Sequence, residues 1–150
     1  MAYITTSDLS QRLGTTLYAR LTDRVSGTTA SSTVAQQIID EAHGLANSYL
    51  CKRYATPIDL VSHPELNSLL QSRVLDIAEY LAWRGSPFVN DVPNRIQSLY
   101  DDARQWFESV AAGEIHLPAD SPPSGRVAED DSPRFNSRPR EFTADELDGL

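Results

Sequence analysis

The sequence contains a single cysteine, Cys51, in 150 residues. No internal disulfide can form, and no zinc cluster can be assembled from thiolates. That usage suits a reducing compartment. No apolar run approaches the ~18 residues that a membrane-spanning helix needs. The first residues also lack a basic stretch followed by an apolar one, so neither a transmembrane span nor a secretory leader is expected. Cations are scarce: 13 Lys and Arg face 21 Asp and Glu, for a formal net charge of −8. A chain this acidic is not expected to wrap nucleic acid, because phosphate contacts need clustered cations.

Groups that could carry chemistry are thin as well. His43, His63 and His116 are far apart and show no ligand spacing, so each reads as a surface or packing residue. Cys51 lies beside Lys52 and Arg53, a setting that lowers a thiol pKa, yet no local motif positions a histidine near it. Asp40–Glu41, Asp101–Asp102 and Glu129–Asp130–Asp131 are acidic runs. Adjacent carboxylates on a helix point in different directions, so these read as solvated faces. The small polar stretch Val25–Ser32 has no Lys or Arg flanking Gly27 and lacks the spacing of a phosphate loop; it reads as a flexible, exposed connection. The expectation is a protein with no catalytic, metal or cofactor site, and not an enzyme.

What is present is helical periodicity. The widest apolar arc belongs to Pro64–Arg84, where Leu66, Leu69, Leu70, Val74, Ile77, Ala78, Tyr80 and Leu81 recur at about 100° per residue. Pro64 suits a first helical position, and Gly85 stands where a C′ glycine would end the helix. Leu75, Ala82 and Trp83 fall off the arc, which predicts more than one packed neighbour and a central place for this helix. Before it, Tyr3–Leu13 opens with Thr6 or Ser7 as a cap and Asp8 in the first turn. Gly14 stops that helix, and Thr15 or Thr16 starts a second short one through Leu21. Thr33–Tyr54 is the next long helix, with Val34, Ile38, Ala42, Leu45 and Tyr49 on one face. Gly44 inside it costs ~1 kcal/mol relative to Ala, which close packing against another helix would explain. Pro93–Ala112 is the third long helix, on Ile96, Leu99, Tyr100, Ala103, Trp106, Phe107 and Val110, and Gly113 ends it. The predicted fold is all-α: a small bundle of three long helices plus two short N-terminal ones, with antiparallel neighbours across short links.

From Glu114 the composition changes, so the domain reading is a helical bundle over 1–113 and an extended tail over 114–150. Ile115 and Leu117 suit one short strand or an anchoring extended segment. Five of the nine prolines follow from Pro118 onward, among charges and few apolar groups. Such a segment cannot bury enough surface to fold alone. Residues through Gly113 carry nine Lys and Arg against twelve Asp and Glu; those from Glu114 carry four Arg against nine Asp and Glu. Near the end, Phe135, Phe142 and Leu147 interleave with Arg134, Arg138 and Arg140, and Thr143 and Glu146 have capping-box spacing. Aromatic and Arg anchors dominate many protein contacts. Phe135, Arg138, Arg140, Phe142 and Leu147 are therefore the predicted docking residues for a neighbouring chain. One further charge stands out. Arg73 falls inside the apolar arc of the central helix, where it must snorkel or find a carboxylate. Glu41 and Asp76 are the candidate partners of a structural ion pair.

Several stretches together are similar to one family. MAYITTSDLSQRLG followed by LYARLTDR resembles the N-terminus of the Mu-like phage head–tail connector family, also called adaptor or neck proteins. YLCKRYATP (Tyr49–Pro57) resembles its Tyr-Leu-x-x-Arg-Tyr-x-x-Pro pattern, and SRVLDIAEYLAW its Arg-x-x-x-Asp-Ile-Ala-x-Tyr core helix. YDDARQWFESVAAGEIHLP is similar to its last helix and exit, and SRPREFTADELDGL to its tail. The resemblance implies a non-enzymatic, mostly helical subunit of a ring, commonly of twelve copies, that binds below the portal. It implies that the ring extends the DNA channel and receives the next neck or tail-completion protein, with genomic DNA passing through without specific binding and no membrane involved. It also implies a place in the virion neck after synthesis in the bacterial host cytoplasm, and a C-terminal arm that reaches into the portal assembly. A reading of a different class stays open: a small helical protein-binding module with a regulatory peptide tail.

Overall fold

The computed structural model describes residues 2–121. Among them are five α-helices and no strand: α1 (Thr6–Leu13), α2 (Thr15–Thr22), α3 (Ser32–Leu50), α4 (Asn67–Gly85) and α5 (Asn94–Ala112), with a 3-10 turn at Pro64–Leu66 before α4. The all-α prediction of three long and two short helices is met.

Local chemistry explains the boundaries, and several differ from those the periodicity suggests. The cap of α1 is Thr5, not Thr6 or Ser7. The Asp8 amide donates to the Thr5 hydroxyl at 3.3 Å, and the Thr5 amide donates back to the Asp8 carboxylate at 2.7 Å. This reciprocal box needs a cap three residues before its acid, which selects Thr5. Gly14, at φ 78°, separates α1 from α2. Ser31 caps α3 through the Val34 amide. That helix ends at Leu50 rather than Tyr54, as Cys51–Arg53 turn away. Pro64 opens the 3-10 turn, so α4 proper begins at Asn67.

Gly85 is the last residue of α4 rather than a left-handed C′ glycine. Its carbonyl accepts from the Arg24 guanidinium, and a Cβ there would meet that guanidinium at 2.9 Å. Close approach, not backbone handedness, is what the glycine permits. Gly113, at φ 84°, is the left-handed terminator of α5.

Helix α4 lies at the centre and packs against α1, α2, α3 and α5. Leu70, Val74, Ile77 and Ala78 are fully buried, and so is Ala82, which the sequence places off the main arc. Leu69, on the predicted arc, is exposed. Four neighbours around one helix leave room for little solvent, so burial follows the neighbours rather than a single stripe. Arg84 of α4 meets Glu41 of α3, whereas Arg53, just past α3, donates to the Ala111 carbonyl near the end of α5. The three long helices therefore run up, down and up. Phe107, Val110, Ile39 and Leu50 complete the core, and Tyr49 stacks on Phe107 with centroids 6.2 Å apart.

The chain stays on the bundle beyond Gly113, where the sequence places the domain boundary. The Leu117 amide donates to the Tyr54 hydroxyl at 2.8 Å, the Ala55 amide donates to the Asp120 carbonyl at 3.0 Å, and Leu117 is buried. Of the two sequence alternatives for this segment, the anchoring extended one is found. The predicted docking residues Phe135, Arg138, Arg140, Phe142 and Leu147, and the Thr143–Glu146 cap, lie outside the described residues.

Candidate functional site

The charged cluster at the centre of the bundle differs from the pair the sequence suggests. Arg73 does not pair with Glu41 or Asp76 among the described residues; its guanidinium lies over the Trp106 ring, 5.9 Å from the centroid. Asp76 instead takes a 2.7 Å bond from Arg12 of α1, whose Nε also reaches Glu79 at 3.1 Å. Glu41 sits at the surface, 3.5 Å from Arg84. The correction has a geometric cause. Arg73 is half-buried toward α5, where an indole face attracts its charge. Asp76 and Glu79, three residues apart, share the side of α4 that faces α1.

Both carboxylates are nearly fully buried, with side-chain exposures of 5% and 8%, and Arg12 retains 29%. Burial pushes the Asp76 carboxyl above its usual range, against the opposing pull of Arg12 and, more weakly, of Arg73. The arrangement is a clamp that ties α1 to α4. Sequence reasoning missed Arg12 and Glu79. The available signal was the i, i+3 spacing of two acids on the most apolar helix, which requires a cation from elsewhere.

Asp23 is the second group that the sequence did not single out. Its carboxylate accepts from the amides of Val25, Ser26, Thr28 and Thr29 and from the Ser26 hydroxyl, at 2.6–3.2 Å. These bonds, the Ser26 hydroxyl foremost, hold its pKa far below the usual carboxylate range. The connection between α2 and α3 is therefore exposed, as predicted, but organised around one side chain rather than loose. Gly27, at φ 71°, packs against the Phe88 ring, and Val25 is 90% exposed.

The histidines do not converge. His43 accepts from the Ile4 amide at 3.2 Å and stands edge-on to Tyr3, and burial pushes its pKa down. His63 lies 3.5 Å from Asp120 and 3.6 Å from Glu65, and His116 is exposed. Cys51 donates weakly to the Ser48 carbonyl at 3.4 Å. Among the described residues no cluster of three or more His, Cys, Asp or Glu could hold a metal ion, and no helix is long and apolar enough to cross a membrane.

Two surface features stand out for contact rather than chemistry. A groove of about 550 Å³ between α3, α4 and α5 is lined by Glu41, Gly44, Leu45, Ser48, Leu81, Arg84 and Tyr100. A smaller one of about 300 Å³, lined by residues that include Arg20, Trp83, Phe88 and Asp91, lies at the loop end of α4. Gly44 is not closely packed against another helix, contrary to the sequence expectation. A Cβ built on it meets nothing within 4 Å.

Comparison with curated proteins gives no match. Comparison with protein families does: residues 3–135 match the family described as Bacteriophage Mu, Gp36. The match begins before α1, spans the whole bundle and continues through the extension to Phe135. The chain thus belongs to the Bacteriophage Mu Gp36 family and is a virion-associated phage structural or morphogenesis protein.

Proposed function

We propose that the protein is a neck adaptor: a subunit of a ring that binds below the portal, extends the DNA channel and joins head to tail. The observation that carries this reading is the division of the chain. Among the described residues the buried core runs from Tyr3 to Leu117, whereas the family match runs on to Phe135. The sequence beyond that core is the stretch rich in proline and charge, with Phe135, Phe142 and Leu147 interleaved with Arg134, Arg138 and Arg140. Aromatic and Arg side chains of this kind suit gripping another molecule. Phe135, Arg138, Arg140, Phe142 and Leu147 dock on a neighbouring chain of the ring or on the portal. In this role the subunit performs no catalysis and needs no metal or cofactor; it positions partners. The acidic body suits a conduit, since phosphates passing an anionic wall are not retained. Glu41–Arg84 at the surface and the Arg12 clamp inside are structural in this reading.

The test is assembly. The purified chain, alone and with portal, is sized by light scattering and viewed by negative-stain microscopy. Large closed rings are expected, and a chain ending at Pro133 should keep its helical spectrum but fail to join the portal. A protein that stays monomeric with portal present, or a truncated chain that still completes particles, refutes the proposal. The monomeric result would favour the binding-module alternative.

A further inference from the structure

Gly44 occupies the middle of α3, where glycine weakens a helix, and nothing among the described residues requires it there. The missing side chain leaves α3 backbone open on the wall of the 550 Å³ groove. Leu45 and Leu81 supply apolar surface, and Tyr100 stacks on Tyr80 with centroids 4.0 Å apart. The Glu41 carboxylate on the rim is held by Arg84 at 3.5 Å, with both side chains more than half exposed. The groove thus offers a flat apolar wall, an aromatic edge and a loosely held anion. No contact among the described residues gives Gly44 a purpose, and a side chain that enters against the bare backbone would supply one.

We infer that this groove is the receptor for the segment Pro133–Arg140 of the chain itself, with Phe135 seated against Gly44, Leu45 and Leu81. The inference rests on the reading of the tail as a docking arm. Three observations select this occupant. First, charge: the segment Pro-Arg-Phe-Asn-Ser-Arg-Pro-Arg holds three Arg and no acid, whereas residues 2–121 hold nine Lys and Arg against fourteen Asp and Glu. Glu41 on the rim is the acid that an Arg beside Phe135 would pair with. Second, reach: fourteen residues separate Ser121 from Phe135, up to about 46 Å at ~3.3 Å per residue. Gly44 is six residues, or roughly 9 Å, from the end of α3, and the described chain ends beside Ala55 at that same end. Third, chemistry: Arg-flanked aromatics are the side chains that most often anchor such contacts, and two prolines reduce the entropy lost on ordering an extended segment.

The experiment is thiol trapping in the full-length chain. In a Cys51→Ser background, Ser48→Cys on the groove is combined with Asn136→Cys beside Phe135. The control combines Asn136→Cys with Ser68→Cys, an exposed site at the start of α4, about 20 Å along that helix from Leu81. Both sites lie toward the end of the bundle where the described chain ends, so random encounters alone would not separate them tenfold. Disulfide formation with Ser48→Cys at least tenfold faster than with Ser68→Cys is expected. Phe135→Ala should remove that advantage. So should Gly44→Gln, which fills the wall without lowering the unfolding temperature. Equal rates at the two sites, or trapping indifferent to Phe135→Ala, overturn the assignment. Products that link two copies agree with arm exchange in a ring. Purely intramolecular products keep the groove assignment and count against the adaptor reading. Rings that form with portal but show no trapping sink the assignment and leave that reading standing.

Discussion

Removing Arg12 should damage this protein more than removing the arginine that the sequence makes conspicuous. Arg12→Ala leaves Asp76 and Glu79 facing each other with side-chain exposures of 5% and 8% and no guanidinium between them. Breaking a buried ion pair by deleting one partner costs about 3–5 kcal/mol, and the partly exposed cation places this case near ~3 kcal/mol. Against a total stability of ~5–15 kcal/mol that is a large fraction. At about 4 °C per kcal/mol, the unfolding midpoint should fall by roughly 12 °C. Urea unfolding followed by circular dichroism and tryptophan fluorescence measures the change. The loss should shrink as pH falls from neutrality toward the ordinary carboxylate range. Burial raises the folded pKa of Asp76 above its unfolded value, so protonation favours the folded state, and that contribution vanishes as pH rises through the folded pKa. Arg73→Ala, which removes the contact with Trp106 and a weak pull on Asp76, should cost about 1 kcal/mol or less. Replacing the whole cluster by Arg12→Met, Asp76→Leu and Glu79→Met should return stability close to that of the parent. An Arg12→Ala loss under ~1 kcal/mol, or a larger loss for Arg73→Ala, refutes the clamp.

Three other expectations follow from single hydrogen-bond networks. Tyr3 is buried, donates to Asn47 at 2.7 Å and accepts from the Ile58 amide at 2.9 Å. Tyr3→Phe should cost ~1–3 kcal/mol in urea unfolding, because it strands a buried amide. Asp23→Ala should leave the helical spectrum intact yet remove the hydrogen-exchange protection of the Val25, Ser26, Thr28 and Thr29 amides. In the parent protein, where the folded pKa of Asp23 is depressed, that protection should persist through the ordinary carboxylate range and fail only in stronger acid; a carboxyl titrating near 4 would contradict it. Tyr54→Phe, which deletes the acceptor of the Leu117 amide, should speed proteolytic cleavage across residues 114–121 while the long helices stay resistant.

Local order determined much of this protein. Helix type, number and order are written in the 3.6-residue recurrence of Leu, Ile and Ala. Gly14 and Gly113 mark breaks by their backbone freedom, but the composition change after Gly113 falls short of the edge of the bundle, because Leu117 is buried on it and Asp120 pairs with Ala55. Those signals act within a few residues, so the sequence carries them openly. The tertiary structure alone decided what lies across the bundle. It assigned Asp76 to Arg12, sixty-four positions away, and turned Arg73 toward Trp106. It also set the Gly85 carbonyl against Arg24 and left Gly44 bare on a groove rather than pressed against a helix. The reason is physical: an amphipathic pattern states which face of a helix avoids water, but an ion pair or a close approach depends on the rotation and offset of two helices. Those follow from how all the side chains pack at once.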